Sequence, residues 1–253
     1  MAHSCSPLRT RLVASRIQQT NRLSLVCWLR LYRCHENLSN RFWGLACMGR
    51  PKAVGVSFQL IGDHPILDFV NTLDSRYEEF GPSELLNCYG DLIRFVAQSE
   101  LLSSRQLKDL RQSNNPRKED EVFQSCLRLR ESVAECLYGK MGGRLPKSTS
   151  LATLEGFYRQ TRLNQFAVWK NGHLDWAWPV SPPVDLPLWI LTLIAWELLE
   201  SSLVKHVKSC GSPTCRWLFL DRSKNRTRRR CDMRVCGNRM KGERFRSQRR
   251  ASS

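Results

Sequence analysis

The chain has only five histidines in 253 residues, and no two of them have the spacing that presents a catalytic metal pair on a helix. It contains neither a glycine-rich phosphate loop nor a Gly-x-Ser-x-Gly elbow for an exposed nucleophile. Long apolar runs are also missing. Leu188–Leu199 is the most apolar stretch and meets Glu197 and Glu200, so at about twelve residues it is too short for a bilayer and reads as a buried core helix. Leu23–Leu31 is interrupted by Ser24 and Arg30, and no small-residue cleavage site follows it. It therefore makes neither a membrane span nor a signal sequence. These absences argue against an enzyme and against a membrane protein, and the expected location is the cytoplasm, associated with the nucleoid.

Acid is scarce, and scarcest at the two ends. Residues 205–253 hold sixteen Lys/Arg against three acids, residues 1–50 eight against one, and residues 51–204 sixteen against nineteen. The net charge of +17 is thus an end effect on a mildly acidic body, the pattern of a protein that meets a polyanion through one module. Residues 1–50 carry Trp28, Trp43 and four cysteines without sustained periodicity. They read as a disordered basic extension or as an overextended reading frame with Met48 as the true start. An arginine-rich, acid-poor transit peptide is the alternative.

Eleven cysteines, odd in number and without framework spacing, suggest a reducing compartment. Four stand apart: Cys210-x4-Cys215, fifteen residues, then Cys231-x4-Cys236. Two close thiol pairs can each fold round one side of a single zinc ion. With all four ligands cysteine, no coordination position stays open, so the expected cofactor is one structural Zn2+. A disulfide pair, an iron–sulfur cluster and unliganded thiols are the alternatives. His206 is read as lying on the helix that leads into the first pair.

The stretch Cys210-Gly-Ser-Pro-Thr-Cys215-Arg-Trp217-Leu-Phe219-Leu-Asp221-Arg-Ser223-Lys-Asn225, continued by Arg230-Cys231-Asp232 and Cys236-Gly237-Asn238-Arg239, resembles the CGNR zinc finger. Upstream, Gly62-Asp63-His64-Pro65-Ile66-Leu67-Asp68-Phe69-Val70-Asn71-Thr72 resembles the start of the ABATE domain that precedes this finger in bacterial proteins. The resemblance covers roughly residues 55–250. It implies a stress-linked bacterial transcription regulator with a C-terminal DNA-binding finger. The chain departs from the family's pattern at Arg230, where tryptophan is usual, and at Asp232, where serine is usual; neither change removes a ligand.

In the body, Val54, Val56, Phe58 and Leu60 alternate as a half-buried strand. Asp63 is placed to cap a helix with Pro65 in its first turn. Asp63, His64, Asp68 and Asn71 read as this cap and turn, or as a small ligand pocket. Helices are predicted at 89–98, after the Ser103-x-x-Gln106 capping box, at 119–138, and for about fifteen residues from Ser148. Cys126 and Cys136 fall on inward positions of the 119–138 helix. Asn171-Gly172 predicts a type I′ hairpin bearing Trp169, Trp176 and Trp178, whose tryptophans are expected to pack in the core. Pro179, Pro182, Pro183 and Pro187 form a stiff connector, and the helix after it is expected to run on toward Cys210 as one rigid element.

The expected architecture is α+β, a mainly helical body with a small antiparallel sheet, plus a C-terminal zinc-finger module built on the four cysteines. Its divisions are 1–50, an ABATE-like domain at 54–186, a connecting helix at 187–208 and a finger at 209–250. The expected function is a zinc-dependent, DNA-binding transcription regulator whose N-terminal domain senses a ligand or makes contacts; an RNA-binding zinc knuckle is the alternative. The partners are double-stranded DNA and a small-molecule effector. Contacts are assigned to Arg222, Lys224, Asn225, Arg226, Arg228, Arg229 and Arg230 between the cysteine pairs. A basic helix adds Asn238, which also caps it, and Arg239, Lys241, Arg244 and Arg246. Trp217 and Phe219 are expected to pack the metal module, not to stack bases.

Overall fold

The computed structural model describes residues 57–77, 81–179, 183–213, 215–232, 234 and 236. The basic extension, Met48, and the Asn238, Arg239, Lys241, Arg244 and Arg246 helix lie outside these residues. The described order is α1 (Pro65–Val70), β1 (Leu73–Asp74), β2 (Ser83–Glu84), α2 (Tyr89–Gln98), α3 (Ser104–Arg111), α4 (Pro116–Met141) and α5 (Ser148–Leu163). It continues with β3 (Phe166–Lys170), β4 (His173–Ala177), α6 (Leu186–Glu200), a 3-10 turn (Ser202–His206), β5 (Val207–Ser209) and β6 (Leu218–Leu220). Among the described residues the strands pair as three separate antiparallel ladders, β1–β2, β3–β4 and β5–β6, so the fold is a mainly helical body with small antiparallel sheets.

Helices α4, α5 and α6 pack against one another, and α1 packs against both α4 and α6. All six residues of α1 are buried, because a helix of this length is stable only when tertiary contacts replace its missing propagation. Its ring Phe69 meets Phe95 of α2 at 5.5 Å between centroids. Cys126 and Cys136 sit in the core as free thiols. Ser103 and Gln106 cap α3 reciprocally, side chain to backbone in both directions. Arg130 of α4, 3% exposed, is paired twice with Glu84 at 2.7 and 2.6 Å and donates to Thr72 Oγ1. A charge this deep needs such pairing, and it ties Glu84 of β2 and Thr72 to α4.

Several expectations change. Residues 57–60 form no ladder; the Phe58 backbone is satisfied instead by the Gln98 side chain, which accepts at 2.9 Å and donates at 2.5 Å. The α1 cap is His64, whose Nδ1 accepts from the Ile66 amide, while Asp63 stands outside with a left-handed φ of 59°. The hairpin forms with Asn171 and Gly172 at φ 52° and 80°, yet Trp169 is 76% exposed and Trp176 48%. A two-stranded ladder has two faces, and this one packs neither of them fully. Trp178, beyond it, does reach inward and stacks on Trp189. Finally, α6 stops at Glu200, where Ser201 turns extended and its hydroxyl starts the 3-10 turn holding His206. The body and the C-terminal module are therefore not joined by one continuous helix.

Candidate metal centre and nucleic-acid interface

The join is made sideways, by β6. Its residues alternate as strand geometry requires. Leu218 and Leu220, with Val207 of β5, belong to the core of the body. Trp217 and Phe219, on the opposite face, pack with Cys210, Cys231 and Cys236, and Ile61 closes that cluster from the body side. One short ladder therefore divides two cores and belongs to both.

Asn71, at the C-terminal end of α1, acts as a surrogate strand for β6. Its Oδ1 accepts from the Leu218 amide at 2.8 Å and its Nδ2 donates to the Leu218 carbonyl at 2.9 Å. The Leu220 amide donates to the Gly62 carbonyl at 2.8 Å, and the Gly62 amide in turn to Asp68 Oδ1 at 2.7 Å. A Cβ on Gly62 would stand 3.0 Å from that carboxylate and from Leu67 Cβ, so this close approach requires glycine. Trp217 Nε1 donates to Asp74 at 2.6 Å, Arg228 pairs with Asp63 at 2.5 Å, and Arg222 reaches the Asp63 carbonyl. Burial, helped by the Arg222 charge, lowers the His64 pKa to about 4, keeping its ring neutral as a cap acceptor. Asp63, His64, Asp68 and Asn71 thus gather where α1 receives the C-terminal module.

The cysteines converge from the two knuckles. The Cys210 amide donates to the Trp217 carbonyl and the Gly211 amide to that of Arg229, which brings the second pair beneath the first. The Sγ atoms of Cys210 and Cys236 are 3.4 Å apart, and those of Cys215 and Cys231 3.5 Å. All four lie within 4.8 Å of one another. A zinc tetrahedron with bonds of about 2.3 Å has sulfur–sulfur edges of about 3.8 Å, whereas a disulfide needs about 2.05 Å. Cys210, Cys231 and Cys236 are buried and Cys215 partly so. The four thiols fit one structural Zn2+, which they would hold as thiolates with no position left for substrate. Hydrogen bonds from Cys215 and Cys231 drive the Cys210 pKa down, while their hydrogen bonds to Cys210 push those of Cys215 and Cys231 up. Loading the metal therefore releases protons.

The family model of the CGNR zinc finger matches residues 206–249, and the ABATE model, described as "Putative stress-induced transcription regulator", matches residues 63–202. The chain belongs to the ABATE family. No curated protein matches it. The ABATE model begins at Asp63, in the segment that receives the CGNR finger. Among the described residues no helix is long and apolar enough to cross a membrane.

Between the cysteine pairs, Arg222, Lys224, Asn225, Arg226 and Arg229 are exposed, and Arg228 and Arg230 are half-buried. They are not equivalent. The Arg228 guanidinium lies 4.6 Å over the Phe219 ring and bonds to the Arg230 and Cys231 carbonyls besides Asp63. Arg230, at the position where the finger usually has tryptophan, keeps a buried Nη1 with no hydrogen-bond partner among the described residues. Asp221 has no role among the sequence-based expectations, although its signal is plain. It is the one acid between Cys215 and Cys231, in a segment otherwise crowded with cations.

Proposed function

We propose that this zinc-binding regulator acts by binding double-stranded DNA through the CGNR finger, with the basic residues between the knuckles contacting phosphate. The observation that carries this reading is a dense cationic loop tied at both ends by metal ligands and braced against the body through Asn71, Asp63 and Asp74. A charge run free in solvent is usually a disordered tract. Here the cations are aimed, so less ordering entropy opposes contact with a polyanion. Contacts of this kind fix position and affinity, while sequence is read by base edges. The helix expected after Cys236, with Arg239, Lys241, Arg244 and Arg246, supplies that reader in this proposal.

For the body we propose an interaction role whose first partner is the finger itself. A small-molecule effector bound at Asp63, His64, Asp68 and Asn71 would act by competing for the bonds that hold β6. An effector that alters DNA affinity in the wild type and equally in Asn71→Ala would count against that route.

The deciding experiment is selection of duplex genomic fragments on zinc-loaded protein beside Cys231→Ser. A shared enriched motif that disappears in the variant supports a metal-dependent sequence reader. Flat enrichment of duplex, with capture of single-stranded RNA instead, would replace this reading by RNA binding. If the whole finger neutralises six to ten phosphates, affinity falls by about 10³–10⁵ between 50 and 200 mM salt.

A further inference from the structure

Asp221 directly follows β6 and has no exposed surface, although it is a carboxylate in the most basic part of the chain. All of its hydrogen-bonding atoms are engaged. Its amide donates to the His206 carbonyl at 2.9 Å. Oδ1 accepts from the Ser223 amide at 3.0 Å and the Ser223 hydroxyl at 2.6 Å. Oδ2 accepts from Lys208 Nζ at 2.7 Å and from the Arg228 amide at 3.1 Å. Its carbonyl accepts from the Arg226 guanidinium, and Lys208 Nζ also reaches the Arg226 carbonyl. Burial alone would raise the carboxyl pKa, but the bonds from Lys208 and Ser223 outweigh it and hold the group well below the usual carboxylate range.

We infer that Asp221 is a positioning residue that sorts the loop's cations into holders, Arg226 and Arg228, and phosphate contacts, Lys224 and Arg229. This rests on the nucleic-acid reading above and goes beyond it by saying which cations do the contacting. Arg228 spends its guanidinium on Asp63, on the Phe219 face and on two backbone carbonyls. Arg226 is turned back onto the Asp221 carbonyl, at the end of a turn closed by its own amide on the Ser223 carbonyl at 3.1 Å. The side chains of Lys224 and Arg229 are exposed and make no hydrogen bond or ion pair among the described residues. Without the carboxylate, Lys208 and the Arg228 amide would lose their common acceptor. Like charges would then separate, carrying the two outward cations away from any fixed spacing.

The charge sign makes the inference testable. Asp221→Asn adds one unit of positive charge. If the loop were a solvated cationic cloud, that variant would bind a polyanion more tightly. A positioning role requires the opposite. The experiment uses the full zinc-loaded chain and a fluorescent random-sequence duplex of 24 base pairs (a length of about two helical turns), titrated from 50 to 200 mM salt with zinc content measured for each variant. Asp221→Asn is expected to bind about 10-fold more weakly, with the wild-type salt slope. Ser223→Ala, charge-neutral and removing one bond to Oδ1, is expected to weaken binding about 3-fold in the same way, and it carries the test if Asp221→Asn loses zinc. Lys224→Gln and Arg229→Gln should each lower the slope of log affinity against log salt by about 0.9, the value for one phosphate. Arg226→Gln should weaken binding while leaving the slope unchanged.

Unchanged or tighter binding by both Asp221→Asn and Ser223→Ala overturns the inference, as does an equal loss of slope at Lys224, Arg226 and Arg229. Failure of the wild type to bind duplex at any salt sinks the DNA reading and, with it, the assignment of contacts. The sorting itself is then read separately from hydrogen exchange. The Arg228 amide, bonded to Oδ2 in the wild type, should exchange at least 10-fold faster in Asp221→Asn, and equal rates would dismiss the clamp on its own.

Discussion

The ladders on either side of α6 differ in almost every respect that decides what a hairpin does. β3–β4 has five residues in each strand, full register and a type I′ turn, and it leaves Trp169, Leu174 and Trp176 exposed. β5–β6 has three residues in each strand and a metal knuckle instead of a turn, and Leu218, Phe219 and Leu220 are almost wholly buried. The longer ladder forms from local chemistry and supports little else. The shorter one forms because two cores and a metal centre require it. Turn chemistry predicts that a hairpin exists, whereas burial is set by what the rest of the chain brings to its faces.

Metal removal should widen this contrast most. Among the described residues the finger's own cluster consists of Cys210, Trp217, Phe219, Cys231 and Cys236, too few apolar side chains to hold a fold without zinc. Binding energy in such sites, on the order of 10 kcal/mol, is folding energy. Chelation, or Cys231→Ser, should unfold the finger while far-UV circular dichroism keeps most of the helical signal. The melting temperature of the body should also fall, because Val207, Leu218 and Leu220 leave its core. An unchanged body transition would mean that β6 is a passenger on a self-sufficient domain.

Asn71→Ala attacks the shorter ladder without touching the metal. Leu218 is 0% exposed, and the variant leaves its amide and carbonyl without the Asn71 side chain. Two buried polar groups stripped of partners cost about 2–6 kcal/mol in total. The denaturant midpoint should drop accordingly, and zinc should be lost to a competing chelator faster than in the wild type. This docking is not legible in the sequence, and the reason is distance. Asn71 and Leu218 are 147 residues apart, and no local pattern couples them. What is legible is local or metal-imposed. The two Cys-x4-Cys pairs, the Ser103 capping box, the α2 limits and the Asn171-Gly172 turn each depend on residues within a few positions of one another, and one metal ion joins the pairs. The helical continuity expected toward Cys210 fails at Ser201, where a side-chain cap favours starting a new turn over extending the helix. The strand expected at 54–60 does not form over its described part, residues 57–60, for the complementary reason. Alternation gives a strand two faces but no partner, and Gln98 takes the hydrogen bonds that a neighbour would have made.

Acid should loosen the α1 end of the same docking. The His64 pKa is about 4 when folded against 6.5 for the unfolded ring, so between these values the unfolded state binds more protons. Its contribution is complete above pH 6.5 and is lost as pH falls toward 4. After allowance for its partial exposure the loss is on the order of 2 kcal/mol. Stability measured from pH 7 to 4.5 should decline in the wild type and much less in His64→Asn, which retains a cap acceptor. Asp221 acts in the same direction at lower pH, beginning near 3.8, so the two are separable. Equal slopes in wild type and His64→Asn would remove His64 from the account.

The smallest effect belongs to the longer ladder. Trp169 stands opposite Leu174, and replacing it with serine forfeits one cross-strand pair worth roughly 0.2–1 kcal/mol. Because the ring is 76% exposed, little of this should reach the global transition; exposed substitutions of this kind usually stay within about 0.5 kcal/mol. Amide exchange in β3 and β4 should quicken, since a two-stranded ladder can open locally without unfolding the helices beneath it. The melting temperature should move by no more than about 2 °C. A fall of about 5 °C or more would show that the exposed face is packed against something in solution, and the two ladders would then differ only in what covers them.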